Sequence, residues 1–140
     1  MNAITLLDGG LGQEIYRKAG KPAHPLWSTK VMMETPHLVK EAHQEFIQAG
    51  ARVITTNSYT ATPTRLQRDG QAEWFEDLQQ KAFAIADEAR QELGYPAEQV
   101  QIAGCLSPLV GSYTADERTF AELKQEYQQI VAAQAPRVDL

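Results

Sequence analysis

Residues 4–12, ITLLDGGLG, combine a short apolar run, an acid and three glycines within four positions. The run at 4–7 predicts a buried β-strand, which Asp8-Gly9-Gly10 ends. Asp8 is therefore expected at the carboxyl end of a strand, the edge at which α/β proteins bind their ligands. Aspartate before glycine is also common in turns, so bracing its own turn is the alternative role of this side chain.

The rest of the chain alternates between helix and strand patterns. Apolar spacing and terminal signals predict helices at 13–19, 36–49, 75–93 and from 119 onwards. Strands are predicted at 51–56, 99–105 and, at its start only, 137–140. The last helix opens with a capping box of Thr119 and Glu122. Residues 21–28 and 60–71 are expected to be loops, with Leu26-Trp27 packed against the body of the protein.

Apolar faces predict which helix residues are buried. For the helix at 36–49 the predicted inner face is Leu38, Ala42, Phe46 and Ala49. For the helix from 119 onwards it is Phe120, Leu123, Tyr127, Ile130 and Val131. His37 and His43 are six positions apart, which separates them by about 120° around a helix. Both are expected on the surface.

The order of these elements predicts the fold class. Strands that alternate with helices require parallel pairing through right-handed crossovers. Long loops that follow only the strands favour a (β/α)8 TIM barrel over a Rossmann sheet. Four strands make half of such a barrel, so residues 1–140 are interpreted as its N-terminal part, with three βα units and the start of strand 4. A half-barrel alone exposes strand edges, and homo-oligomerisation is then expected.

The composition excludes several classes of function. The 140 residues are 43% hydrophobic and 22% charged, with a net charge of -5 and no cluster of Lys or Arg. Nucleic acid and anionic membranes are therefore not expected as partners. The sequence has neither a signal-peptide layout nor an apolar run of membrane-spanning length. A single cysteine, Cys105, excludes an internal disulfide and an all-cysteine zinc site, and a cytoplasmic enzyme is the expected class.

Polar side chains also follow the second and third predicted strands. Asn57 and Tyr59 suit the orientation of a polar ligand there, although such residues favour caps and turns as well. Cys105 fits a small buried apolar residue better than a reactive thiol. The glycines would let a ligand approach the backbone, but the dinucleotide pattern fails because its third glycine falls on Ile15. The sequence contains no HExxH motif and no Walker lysine.

Five segments resemble the N-terminal half of the homocysteine S-methyltransferase family. They are LLDGGLGQEI, PLWS, the helix ending in AGA, VITTNSYTATPTRL and IAGCLSPLVGSY. The similarity follows the chain in order over essentially all 140 residues, and DGG followed by TNSYTATP is its most specific part. The family includes S-methylmethionine- and betaine-dependent enzymes and the homocysteine domain of cobalamin-dependent methionine synthase.

The resemblance implies a (β/α)8 barrel that transfers a methyl group from a sulfonium or ammonium donor to the thiol of homocysteine, giving methionine. In the family a zinc ion binds that thiol as thiolate. Carried over by position, Asp8 accepts the amino group of homocysteine and the backbone at 9–12, including Gly9 and Gly10, lies against its carboxylate. Asn57 and Tyr59 line the pocket. Trp27, Tyr59 and Tyr113 suit cation–π contact with the donor.

The sequence departs from the family pattern at the metal. The family's zinc ligands are three cysteines, all of which fall beyond Leu140 in the resemblance, and Cys105 matches none of them. A family glutamate that helps to hold the amino group falls beyond Leu140 as well. Zinc is therefore expected in the intact family enzyme and not on these 140 residues alone, which are predicted to be inactive.

Two other interpretations stay open. In the first, the chain is a catalytically inactive, truncated half-barrel that binds a small amino acid or self-associates. In the second, it is another barrel enzyme, such as a lyase or aldolase, that uses Asp8. The second would need a lysine or metal ligands at the strand ends, and none of the three predicted strands ends in one.

Overall fold

A small parallel sheet forms the centre of the fold. In the computed structural model, which describes residues 4–140, β1 (Val53–Thr55) pairs in parallel with β2 (Gln101–Ala103). The residues before β1 add one parallel bridge, between Leu7 and Val53. The α/β class and the parallel pairing predicted from the sequence are thus confirmed, whereas closure into a (β/α)8 barrel stays a prediction.

The last residues of the chain lie along the free edge of β2. The amide groups of Asp139 and Leu140 donate to the Ile102 carbonyl at 2.8 and 3.2 Å, and the Gly104 amide donates to the Leu140 carbonyl at 3.0 Å. β1 uses the alternate residues of β2, so the chain end occupies the opposite edge. The predicted fourth strand is therefore in position beside β2, without forming a regular strand.

The first predicted strand differs most from expectation. Its pairing is limited to the single bridge at Leu7, and Ile4, Leu6 and Leu7 are 96%, 52% and 59% exposed. The prediction that this strand is buried is wrong for the residues described. The apolar pattern does predict the parallel pairing next to β1, but none of residues 4–140 covers the outer side of this segment.

Four of the six helices correspond to predicted ones. They are α1 (Leu11–Ala19), α3 (Pro36–Gln48), α5 (Phe75–Glu92) and α6 (Phe120–Gln134). α1 ends where Gly20 adopts φ 58°, a left-handed conformation that glycine takes without strain. The capping box of Thr119 and Glu122 is present in full.

Two helices lie in segments that were predicted as loops or left without a prediction. They are α2 (Trp27–Glu34) and α4 (Pro63–Arg68), and a 3₁₀ turn follows at Ala72–Trp74. α2 buries polar Ser28 and Thr29 together with Val31 and Met32, so its apolar residues form no regular stripe. Leu26 packs as expected, with 1% exposure, but Trp27 is 43% exposed.

The inner faces of α3 and α6 are rotated from those predicted. α3 buries Val39, Ala42, His43 and Ile47, so the surface position expected for His43 is wrong. α6 buries Glu126, Ile130, Ala133 and Gln134, whereas Phe120 and Val131 are 80% and 45% exposed. In α6 the cause is pairing: Arg118 donates to the Glu126 carboxylate at 2.5 Å, which allows an acid to face inward.

Two apolar clusters make the core. The larger one joins all six helices, and the smaller one lies between the sheet and α3 and α5, around Ile54 and Ile102. Phe46 packs against both clusters. Among residues 4–140, no helix combines the length and apolar character needed to cross a membrane.

His43 predicts a loss of stability in acid. Its ring is fully buried, neither nitrogen has a hydrogen-bond partner among the described residues, and burial lowers its pKa from 6.5 to about 4. Between these values the unfolded chain binds a proton that the folded chain does not, so stability falls as pH falls from about 6.5 to 4. At 1.36 kcal/mol per pKa unit the full effect is about 3 kcal/mol.

The measurement is urea unfolding of the chain across this pH range. In His43→Leu the free energy of unfolding should fall less steeply between pH 6.5 and 4 than in wild type. In His37→Leu, which changes an exposed residue of the same helix, the fall should equal that of wild type. An equal slope in wild type and His43→Leu would contradict the assignment.

Candidate functional site

The carboxyl ends of the strands surround a cavity of about 690 Å³. Asp8 follows the first extended segment, Asn57 follows β1, and Cys105 follows β2. The starts of α1 and α2 and the tip of the loop after β2 complete the wall. The lining includes the five residues that the sequence predicts to bind substrate, namely Asp8, Gly9, Gly10, Asn57 and Tyr59.

Thr55 fixes the Asp8 carboxylate. The Thr55 amide donates to Oδ2 at 2.8 Å and its hydroxyl donates to Oδ1 at 3.0 Å. If the parallel pairing continued, the Thr55 amide would donate to a backbone carbonyl of the first strand. The Asp8 side chain accepts this hydrogen bond instead, so the backbone after Asp8 can leave the sheet. Burial raises the pKa of Asp8, and both Thr55 hydrogen bonds oppose the rise. Because both donors are neutral, a cationic ligand group would suit this carboxylate.

The glycines allow the chain to pass close to its neighbours. A Cβ on Gly9 would lie 3.1 Å from the Phe46 ring, and one on Gly12 would lie 3.3 Å from the Ser28 hydroxyl. Gly10 is the N-cap of α1 and provides no side-chain cap. The amide groups of the first helical turn therefore lack a capping side chain at the cavity wall, where they favour negative charge.

Asn57 is committed to holding α2. Its Oδ1 accepts from the Ser28 hydroxyl at 2.6 Å, and its Nδ2 donates to the Ser28 carbonyl at 3.0 Å. The side chain is 3% exposed. Asn57 thus forms part of the wall, and its amide is engaged with Ser28.

Tyr59 joins the two loops at the mouth of the cavity. Its hydroxyl lies 2.8 Å from the Ser112 hydroxyl, in the loop after β2. The guanidinium of Arg65 lies 5.5 Å from the centre of its ring, at cation–π distance. The ring is still 42% exposed.

Two further aromatic side chains stand at the mouth. Tyr113 is fully exposed and Trp27 is 43% exposed. Trp27 has φ 42°, a left-handed conformation that bulky residues rarely adopt, and such strain is concentrated at functional sites. Its ring centre lies 5.0 Å from that of Tyr16. Together with Tyr59 these rings form an aromatic rim.

Cys105 is a protonated thiol in this environment. Burial raises its pKa most, and the negative charge of Asp8 raises it further, to about 11. Its backbone is held on both sides by Gln134, which accepts from the Cys105 amide at 2.8 Å and donates to its carbonyl at 3.1 Å. Within residues 4–140, no three His, Cys, Asp or Glu side chains come together as a metal site.

Sequence reasoning overlooked two residues of the site. Thr55 received no role, since nothing in the sequence pairs it with Asp8. Arg65 lies in a segment predicted as a loop and received no role, although it lines the cavity. The only local signal was a cation six positions after Tyr59.

Comparison with known proteins identifies the family. A family model described as homocysteine S-methyltransferase matches residues 5–140. The chain belongs to the homocysteine S-methyltransferase family. This confirms the resemblance seen in the sequence.

The relatives of this family member are longer proteins. It is 36% identical over 123 residues to the homocysteine S-methyltransferase of Escherichia coli (strain K12), covering 81% of this chain and 37% of that protein. It is 34% identical over 119 residues to homocysteine S-methyltransferase 3 of Zea mays, covering 79% and 35%. Over 87 residues it is 38% identical to the selenocysteine Se-methyltransferase of Brassica oleracea var. italica, covering 61% and 25%.

A solved structure agrees with the fold of this family member. The metallated form of the homocysteine methyltransferase MmuM from Escherichia coli superposes with a TM-score of 0.85 at 30% identity. The match covers 99% of this chain and 52% of that chain. The chain thus spans about a third of the length of these curated relatives and about half of the solved chain.

Thr55→Val is expected to raise the pKa of Asp8 further, because it removes the hydroxyl bond that stabilises the carboxylate. The loss of that bond should also lower the free energy of unfolding by about 1 kcal/mol at neutral pH. NMR titration of the Asp8 carboxyl carbon measures the pKa, and denaturant unfolding measures the stability. Thr55→Ser keeps the hydroxyl and is the matched control. An unchanged Asp8 pKa in Thr55→Val would show that the hydroxyl does not stabilise the charge.

Proposed function

We propose that the protein containing this chain transfers a methyl group from a sulfonium or ammonium donor to the thiol of homocysteine, giving methionine. The observation that carries this proposal is the Asp8 carboxylate, held at the cavity wall by two neutral donors from Thr55. Family membership supports the same reaction. Because the chain spans only part of its relatives, the activity is assigned to the whole protein.

Residues of this half bind the amino-acid part of homocysteine. The ammonium group pairs with Asp8, whose pKa is raised because its charge is only partly solvated. A ligand cation beside the Asp8 carboxylate would stabilise its charged form and so lower the pKa of Asp8 again. The carboxylate of homocysteine lies against the backbone at residues 9–12, where the uncapped first turn of α1 favours an anion.

The donor brings a positive charge that the aromatic rim suits. Trp27, Tyr59 and Tyr113 offer ring faces to a sulfonium or quaternary ammonium group. In the transfer, a lone pair of the homocysteine sulfur forms a bond to the methyl carbon. The bond from that carbon to the donor atom breaks, and its electron pair stays on the departing thioether or amine. Alignment of the two reactants is the contribution of this half.

The described residues do not fit a zinc site. No three His, Cys, Asp or Glu side chains come together as a metal site among residues 4–140. We assign the zinc ligands, and the glutamate that shares the amino group, to the part of the protein beyond Leu140, as the family resemblance implies. No residue described here is assigned to removal of the thiol proton.

We further propose that the domain is a (β/α)8 barrel of which this chain contributes the first three βα units and the start of strand 4. The parallel order of extended segments supports this arrangement. Exposed apolar residues on the two outermost extended segments also support it, namely Ile4, Leu6 and Leu7 beside β1 and Leu140 beside β2. Each end would pair with a further strand in a closed barrel.

Asp8→Asn tests the assignment in the protein that contains this chain. It keeps the shape of the side chain and removes the charge that pairs with the ammonium group. The KM for homocysteine should rise about tenfold or more, in line with the loss of a charged hydrogen bond. Asp77→Asn, at an exposed position of α5, should leave KM unchanged.

The assay is methionine formation from homocysteine with S-methylmethionine or glycine betaine as donor. Wild-type protein that forms no methionine with either donor would overturn the reaction. An unchanged KM in Asp8→Asn would overturn the role of Asp8 and leave the reaction in place.

A second candidate function is supported by the same exposed edges. The isolated 140-residue chain would then be a half-barrel that pairs with a second copy through the segments at Leu7 and Leu140. Sedimentation or light scattering of this chain should give twice its mass of 15.6 kDa. Leu7→Lys should return it to a monomer, whereas Phe120→Lys, away from the sheet edges, should not. A monomer at all concentrations would exclude self-association.

A further inference from the structure

Arg65 places an uncompensated positive charge in the wall of the cavity. It is the one Lys or Arg among the described residues that line the cavity. No carboxylate of residues 4–140 lies within ion-pair distance of it. By contrast, Arg90 and Arg118 each contact two carboxylates. Burial lowers the pKa of Arg65, although a guanidinium stays charged at neutral pH.

The guanidinium is held in place from one side. Nη2 donates to the Pro108 carbonyl at 2.7 Å, and Nε donates to the Leu109 carbonyl at 3.4 Å. The Tyr59 ring stacks against the group at 5.5 Å. Nη1 has no hydrogen-bond partner among the described residues and Nη2 uses only one of its two N–H groups, so three of the five N–H groups stay available. A fixed, partly buried guanidinium of this kind is a strong carboxylate ligand.

Arg65 and Asp8 give the cavity one charge of each sign without pairing with each other. Both act on the Cys105 thiol, whose pKa Asp8 raises and Arg65 lowers. Two opposite charges in one cavity suit substrates that are themselves zwitterions. Homocysteine uses Asp8 and the backbone at 9–12 in the function proposed above, so the cation of Arg65 is left for the second substrate.

We propose that Arg65 binds the carboxylate of the methyl donor and thereby selects zwitterionic donors over cations that lack a carboxylate. The exposed face of the Tyr59 ring takes the onium group beside it, and Arg65 takes the carboxylate. This inference rests on the proposed methyl transfer. It assigns recognition of the donor carboxylate to a named residue of this chain.

The test compares donors that differ only in this group. In the protein that contains this chain, kcat/KM is measured with S-methylmethionine and with its carboxamide, at saturating homocysteine. Wild type should favour the acid by about tenfold or more, as a charged hydrogen bond predicts. In Arg65→Gln the acid and the amide should react about equally, because the amide has no charge for Arg65 to bind.

Arg68→Gln is the matched control. Arg68 also donates to the loop after β2, from Nη1 to the Val110 carbonyl at 3.0 Å, but it does not line the cavity. It should keep the preference for the acid even if it weakens the loop. Arg65→Lys keeps the charge and should retain part of the preference.

The outcomes separate this inference from the proposed function. Wild type that uses the acid and the amide equally would overturn it without reference to any variant. An equal loss of kcat/KM for both donors in Arg65→Gln would make Arg65 a structural residue. Arg65→Gln could instead keep the preference for the acid donor and lose the preference for homocysteine over its carboxamide. That result would assign Arg65 to the acceptor and would also overturn the inference. Absence of methyl transfer from S-methylmethionine, its carboxamide and glycine betaine in wild type would instead overturn the proposed function.

Discussion

The hydrogen bond from the Thr55 amide to the Asp8 carboxylate lies where the pairing between the first extended segment and β1 ends, and it forms part of the cavity wall. A side-chain oxygen takes the place of a backbone carbonyl in the ladder, which lets the chain leave the sheet and enter α1 through the glycines. The exchange is energetically unequal, because a carboxylate loses more hydration on burial than an amide carbonyl does. The raised pKa of Asp8 records this cost. A ligand ammonium group can offset it, so the structural rung also prepares the binding site.

The loop after β2 is shaped by side chains from elsewhere in the chain. Four consecutive carbonyls accept hydrogen bonds from side-chain donors: Ser107 from Tyr127, Pro108 from Arg65, Leu109 from Thr62, and Val110 from Arg68. α4 and α6 therefore set the position of the cavity mouth. This explains why the inner face of α6 is partly polar, since Glu126 binds Thr64 at the start of α4 and Gln134 binds the backbone of Cys105.

Local signals determined what could be predicted from the sequence. The long apolar stripe of α5, the capping box of α6 and the order of strands depend on neighbours in the chain, and all were found. His43, Phe120 and Arg65 depend on contacts across the fold. His43 is buried by packing that overrides its polarity, and Phe120 is exposed at the first position of α6, whose buried face includes the paired acid Glu126. The five substrate-binding residues predicted from the sequence line one cavity because strand ends meet at one edge of a parallel sheet, but the Ser28 contacts of Asn57 required the structure.

In the proposed function, the same electrostatics restrict where the sulfur of homocysteine lies. Asp8 contributes to the pKa of about 11 at Cys105, so a negative charge in this cavity disfavours a thiolate close to it. A substrate thiol beside Asp8 would experience the same effect. Homocysteine bound as proposed avoids this effect, because two methylene groups separate its sulfur from the carbon that carries the ammonium group. With Asp8 on the ammonium group, the thiol extends away from the carboxylate, and the positive charge needed to stabilise a thiolate belongs at the far side of the cavity. In the proposed function this half sets the direction of homocysteine, Arg65 is assigned to the donor, and the charge that stabilises the thiolate is assigned to residues outside 4–140.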